Sequence, residues 1–124
     1  MYKSTIFRII FITTTLFFVY GCSAISRPTL TVILSAPQYY KSNDGDLYIV
    51  RHGSLSDHSL GFVKIQMPGG NTYTLPNSVS GSGVRYTDNR ELVWWEHQQT
   101  VRIDKRDRNG DWIENYVVLK KVNK

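Results

Sequence analysis

Cysteine is nearly absent from this sequence: Cys22 is the only one in 124 residues. A single thiol excludes any disulfide within the chain, so a folded domain must be held by packing and hydrogen bonding alone. It also excludes the cysteine pairs of a structural zinc site, and His52, His58 and His97 are too scattered to make one without them. No apolar run is long enough to cross a membrane comfortably, since the longest, Ile9 to Tyr20, falls short of about 20 residues. Charged residues are sparse, at 20% of the chain, and no basic stripe of the kind that grips nucleic acid occurs. Asp104, Asp107 and Asp111 are spaced like a calcium loop, but Lys105, Arg106 and Arg108 cancel the charge such a loop needs. No metal or cofactor is expected. A hydrolase is disfavoured too, because no serine sits in a Gly-x-Ser-x-Gly elbow between strand and helix.

What is present begins at the start of the chain. Lys3 and Arg8 precede the apolar run, which closes on Gly21 and Cys22, the layout of a secretory signal peptide. Val19-Tyr20-Gly21-Cys22 resembles the lipobox of bacterial lipoproteins, in which the cysteine is acylated and becomes the first residue of the mature protein; Tyr20 is bulkier than the residue usual there. The resemblance implies a lipoprotein signal peptide over residues 1–21 and a lipidated N-terminus at Cys22; the Ser-, Pro- and Tyr-punctuated stretch reads as a tether, giving a lipidated N-terminus and tether over 22–43 and one domain over 44–124. Cys22 is the expected lipid attachment site and the bilayer an expected partner, each buried methylene contributing about 0.8 kcal/mol to anchoring. Ser23 stands where an Asp would signal retention in the inner membrane, which points to the outer membrane, facing the periplasm.

Removing residues 1–21 leaves 103 residues, the size of one small domain, with 13 Lys and Arg against 10 Asp and Glu. No helix of useful length is legible. Short β-type runs recur instead, at Leu47 to His52, Leu60 to Met67, Asn71 to Leu75, Glu91 to His97, Thr100 to Asp104 and Trp112 to Leu119. Val63, Ile65 and Met67 alternate with Lys64 and Gln66, and Val101 and Ile103 with Arg102 and Asp104, as half-buried strands require. Pro68-Gly69-Gly70 marks one hairpin, and Asn109-Gly110 predicts another with a type I′ turn. The fold class is all-β, and the sequence favours a small antiparallel barrel because closure removes exposed edges.

The most distinctive stretch of the domain is Ser80-Gly81-Ser82-Gly83-Val84-Arg85-Tyr86-Thr87-Asp88, followed by Trp94-Trp95. Glycines permit close backbone approach, and the interleaved serines offer both donors and acceptors to a polar target. The same composition also suits a plain strand connection. On a strand, Trp94 and Trp95 point to opposite faces, one to the core and one to the surface or under a loop.

This run resembles the Ser-Gly/Ala-Ser-Gly-x-x-Tyr loop of the membrane-bound and periplasmic inhibitors of c-type lysozyme, with Leu75-Pro76, Tyr86-Thr87-Asp88 and Trp94 also in place. The resemblance implies an antiparallel β-barrel that is not an enzyme, and c-type lysozyme as protein partner. It further implies that the loop enters the lysozyme cleft and hydrogen-bonds the catalytic carboxylates. Ser82 would supply the hydroxyl, Gly81 and Gly83 the close approach, and Ser80 and Tyr86 the loop's shape. In that family a lysine follows the tryptophan and pairs with the carboxylates. Here Glu96 occupies that position, or His97 with a shift of one residue, so these two are the possible second contact. Arg85 and Arg90 are the alternative sources of positive charge. The family's disulfide cannot form, and the neighbourhood of Val50 stands where a cysteine would be. The rival reading is a non-inhibitory envelope-binding or adhesin-like lipoprotein on the same barrel.

Overall fold

The computed structural model describes residues 26–123; the signal segment and Cys22 lie outside the described residues. Nine strands form: β1 (Val32–Leu34), β2 (Gln38–Ser42), β3 (Leu47–Leu55), β4 (Gly61–Gln66), β5 (Thr72–Ser78), β6 (Val84–Thr87), β7 (Leu92–His97), β8 (Thr100–Arg106) and β9 (Trp112–Val122). They hydrogen-bond in the order β3-β2-β9-β8-β7-β6-β5-β4, and β4 returns to β3 from Ile49↔Gln66 to Ser54↔Gly61, so eight antiparallel strands close a barrel.

Strand β1 lies on the same side of β3 as β2, pairing with Gly53–Leu55 while β2 pairs with Leu47–Val50. The two are one strand interrupted before Pro37, which has no N–H to give a ladder. Ser35 repairs the gap: its backbone N–H donates to the His52 carbonyl (2.8 Å), and its hydroxyl accepts from the His52 N–H (3.0 Å). The chain just before β1 is held by Thr31, whose N–H donates to Ser56 Oγ (3.1 Å) and whose carbonyl accepts from the Ser56 N–H (2.9 Å). Both strands fall within the stretch read from sequence as tether. Tyr40 explains why this stretch joins the barrel, since its buried ring meets Trp94 edge-on at 5.4 Å between centroids.

Alternation builds the core as expected. Val63 and Ile65 are buried while Lys64 and Gln66 face solvent, and Val101 and Ile103 point inward from β8. Trp94 is the largest fully buried side chain, surrounded by Tyr40, Val50, Leu75, Leu92 and Leu119 among others in one cluster. Asp104 departs from the pattern. It shares the outer face with Arg102 but is only 6% exposed. Between Ile103↔Val117 and Lys105↔Ile113 strand β9 carries extra residues, a bulge with Asn115 at φ 52°, and the Asn115 N–H donates to Asp104 Oδ1 (2.8 Å).

The barrel's ends differ. At one, the β2–β3, β4–β5 and β8–β9 turns share one design: the N–H of a glycine (Gly45, Gly70, Gly110) donates to the carbonyl three residues back, and the flanking residues close a second bond. Asn109 is therefore not left-handed as a type I′ turn requires; only Gly110 is, at φ 93°, the geometry of a type I turn followed by a bulge glycine. Asp107 Oδ1 stabilises it by accepting from the N–H groups of Asn109 (2.8 Å) and Asp111 (2.9 Å). The other end carries the β3–β4 turn, the β5–β6 loop with Ser80–Gly83, the β7–β8 turn and the end of β9.

Strand β9 completes the barrel by bridging β8 and β2, with Leu119 buried between them. Leu119→Ala is expected to destabilise the domain by about 2–5 kcal/mol through lost burial and a residual cavity. Urea unfolding followed by tryptophan fluorescence measures it.

Candidate functional site

Residues Val79–Gly83 connect β5 to β6 and stand out from the barrel end, Val79 being 96% exposed. Their shape is set by one carbonyl. Ser82 O accepts from the Ser80 hydroxyl (2.6 Å) and from the Trp95 indole N–H (2.9 Å). Gly83 then turns at φ 66°, and a Cβ there would drive into the Glu96 carbonyl. Glycine at this position thus lets the loop lie against β7. The Ser82 hydroxyl makes no hydrogen bond among the described residues, and Ser82 is exposed, so a donor and acceptor face outward on a backbone already held in place.

Beneath the loop, Trp94 points into the core and Trp95 outward, as their adjacency on a strand requires. The half-buried Trp95 ring stacks under the Arg102 guanidinium, 4.4 Å from its centroid, on the pair where β7 and β8 lie opposite each other. Asp104 clamps that guanidinium, with Oδ1 3.1 Å from Nε and Oδ2 accepting from Nη2 at 3.2 Å. Ser82, Trp95, His97, Thr100, Arg102, Asn115 and Val118 are among the residues that line a concavity of about 460 Å³ on this outer wall. The loop serine and His97 are therefore brought together.

Glu96 is not with them. It faces the barrel interior, where its Oε1 accepts from Trp94 Nε1 (2.7 Å) and pairs with His52 Nε2 (2.7 Å). Burial alone would push its carboxyl up. The hydrogen bonds from His52 and Trp94, with the charges of His52 and Lys121, outweigh burial and hold it below the usual carboxylate value. Tyr40, pushed up to about 12 by burial and then by Glu96 and Tyr86, shares a polar mouth of about 550 Å³ with His52, Glu96, Gln98 and Lys121.

The remaining sequence candidates separate. Tyr86 is buried opposite Trp94, at the base of the loop, its ring 5.8 Å from that of His52. Arg85 donates from Nη1 to Ser78 Oγ (3.3 Å) below the loop. Arg90 lies in the β6–β7 turn at the opposite barrel end, remote from Ser82. That turn explains Thr87-Asp88: Thr87 Oγ1 donates to Leu92 O (2.9 Å), and Asp88 Oδ1 accepts from the N–H groups of Arg90, Glu91 and Leu92.

Two features escaped sequence reasoning. Arg102 was within reach of it, because folding Glu91–His97 and Thr100–Asp104 about Gln98-Gln99 sets Arg102 opposite Trp95. The His52–Glu96 pair was not, since it joins residues 44 positions apart.

A family model, membrane-bound lysozyme inhibitor of c-type lysozyme, matches residues 40–112. Among solved structures the chain is similar to Pseudomonas aeruginosa MliC in complex with hen egg white lysozyme, with TM-score 0.55 and 14% identity, over 82% of this chain and 97% of that one. No curated protein sequence matches it.

Two outcomes follow from this geometry. Gly83→Ala should destabilise the domain by about 1–3 kcal/mol, because the new methyl meets the Glu96 carbonyl at a left-handed φ; urea titration measures this. Because the Glu96 carboxyl is depressed, its contribution is complete above the ordinary carboxylate value of 4.5 and is lost as pH falls through its lower folded value. Melting temperatures taken from about pH 6 down to about pH 3 should therefore decline less steeply in Glu96→Gln than in the unaltered protein.

Proposed function

The chain belongs to the family of membrane-bound inhibitors of c-type lysozyme, and we propose that it blocks such an enzyme by seating the Ser80–Gly83 loop in the active-site cleft. The observation that carries this is the Ser82 carbonyl held by two donors, Ser80 Oγ and Trp95 Nε1, while the Ser82 hydroxyl stays free and exposed. A loop ordered before contact loses little entropy on binding, which is where a small contact area gains most.

Glycoside hydrolysis of this kind runs on two carboxyl groups flanking the scissile bond. A hydroxyl donating to one of them makes a charge-assisted hydrogen bond worth about 1.5–3 kcal/mol. Gly81 and Gly83 bring backbone rather than side chains to the cleft wall, so Ser82 can reach its floor. His97 shares the concavity with Ser82, whereas the Glu96 side chain is engaged inside the barrel. Inhibition is competitive and stoichiometric, one barrel to one enzyme.

Anchoring belongs to the same proposal. Acylated Cys22 holds the domain at the outer membrane, facing the periplasm, where an invading lysozyme would reach its substrate. The lipobox-like Val19-Tyr20-Gly21-Cys22 and the Ser after it support this.

Lysis of cell walls by a c-type lysozyme, with the detergent-solubilised protein added at increasing ratios, tests the proposal. Saturable inhibition at about one equivalent is expected, with Ser82→Ala raising the inhibition constant about tenfold or more. No inhibition at large excess by a folded protein, judged by its melting transition, would remove the lysozyme reading.

A further inference from the structure

Resting on that reading, we infer that Arg102 is a second recognition group, meeting the acidic pair of the enzyme beside the Ser82 hydroxyl. Position is the first reason. Arg102 lines the same concavity as Ser82, although twenty residues and two strands separate them in the chain. Trp95 couples the two directly, since the ring that stacks under the guanidinium also donates its indole N–H to Ser82 O. The loop and the cation are thus referenced to a single rigid ring.

Orientation is the second reason. Asp104 accepts from Nη2 and lies 3.1 Å from Nε without a hydrogen bond to it, and Asp104 is itself fixed by the Asn115 N–H. Nη1 has no acceptor among the described residues. A long flexible side chain is therefore already ordered by ring, carboxylate and bulge before any partner arrives. The Asp104 carboxylate is buried and the Arg102 side chain one-third exposed, so the pair presents its positive member to the outside.

Chemistry is the third. A cleft that works with two carboxyl groups is an acidic target, and a planar guanidinium donates to carboxylates with fixed geometry. Glu96 cannot oppose this attraction from the same face, because its carboxylate is bound inside the barrel to Trp94 and His52. A rim charge of this kind also makes binding sensitive to salt.

The test measures inhibition constants of the detergent-solubilised full chain against a c-type lysozyme at low and high salt, for the unaltered protein, Arg102→Gln, Arg102→Lys and Ser82→Ala. Arg102→Gln is expected to raise the constant about tenfold and to flatten its salt dependence, with Arg102→Lys falling between. Because Arg102→Gln strands a buried carboxylate, the double variant Arg102→Gln/Asp104→Asn is measured beside it and should show the same loss with a near-native melting temperature. If that double variant inhibits with the unaltered constant while Ser82→Ala is weakened, the role of Arg102 is overturned and the loop reading stands. Failure of the unaltered protein to inhibit overturns both.

Discussion

Everything distinctive about this barrel depends on the two-residue period of β7. Trp94 and Glu96 point inward, Trp95 and His97 outward, and each inward or outward pair has its own task. The inward pair locks β7 to the rest of the core through Tyr40 on β2 and His52 on β3. The outward pair forms the ground on which the serine-glycine loop rests. Both indole N–H groups are used, one on a carboxylate inside the wall and one on a carbonyl outside it, so a single strand ties the hydrophobic centre to the exposed loop. A shift of one residue along β7 would exchange the two faces and abolish both arrangements.

With a single cysteine in the chain, this design stands without any disulfide within it. Packing holds this region: Val50 is completely buried within the cluster around Trp94. Closure does the rest, because β3 is bonded along both edges, to β1 and β2 on one side and β4 on the other. A strand held on both edges does not need a covalent staple to resist fraying.

Much of this was legible from residues alone, and the exceptions have physical causes. Alternation at Val63-Lys64-Ile65-Gln66 and the glycine turns identified strands whose faces and ends are local properties. Gln38–Ser42 carries no local sign of its strand, because its single buried tyrosine contacts Trp94, more than fifty residues away. Strand β6 was hidden inside the loop motif, since Val84–Thr87 is only four residues long and Val84 is exposed. Asp104 followed the alternation rule in direction but not in burial, because the bulge that covers it belongs to another strand. The loop itself was recognisable by composition. What composition could not convey was that Glu96 faces away from it, which follows only once the phase of β7 is known.

The two barrel ends divide labour, and the stitching of Thr31 to Ser56 decides which end the N-terminal chain leaves from: the one that carries Ser80–Gly83. Nine residues separate Cys22 from Val32, and the fully extended chain between them spans at most about 35 Å. Were Cys22 embedded in a bilayer, anything docking on the loop would share that standoff with the membrane surface. A globular protein is itself about 30 Å across. Such an anchor would leave a reach barely greater than the partner's own width, and the length of the leash would then act as a clearance gauge for what can dock on the loop.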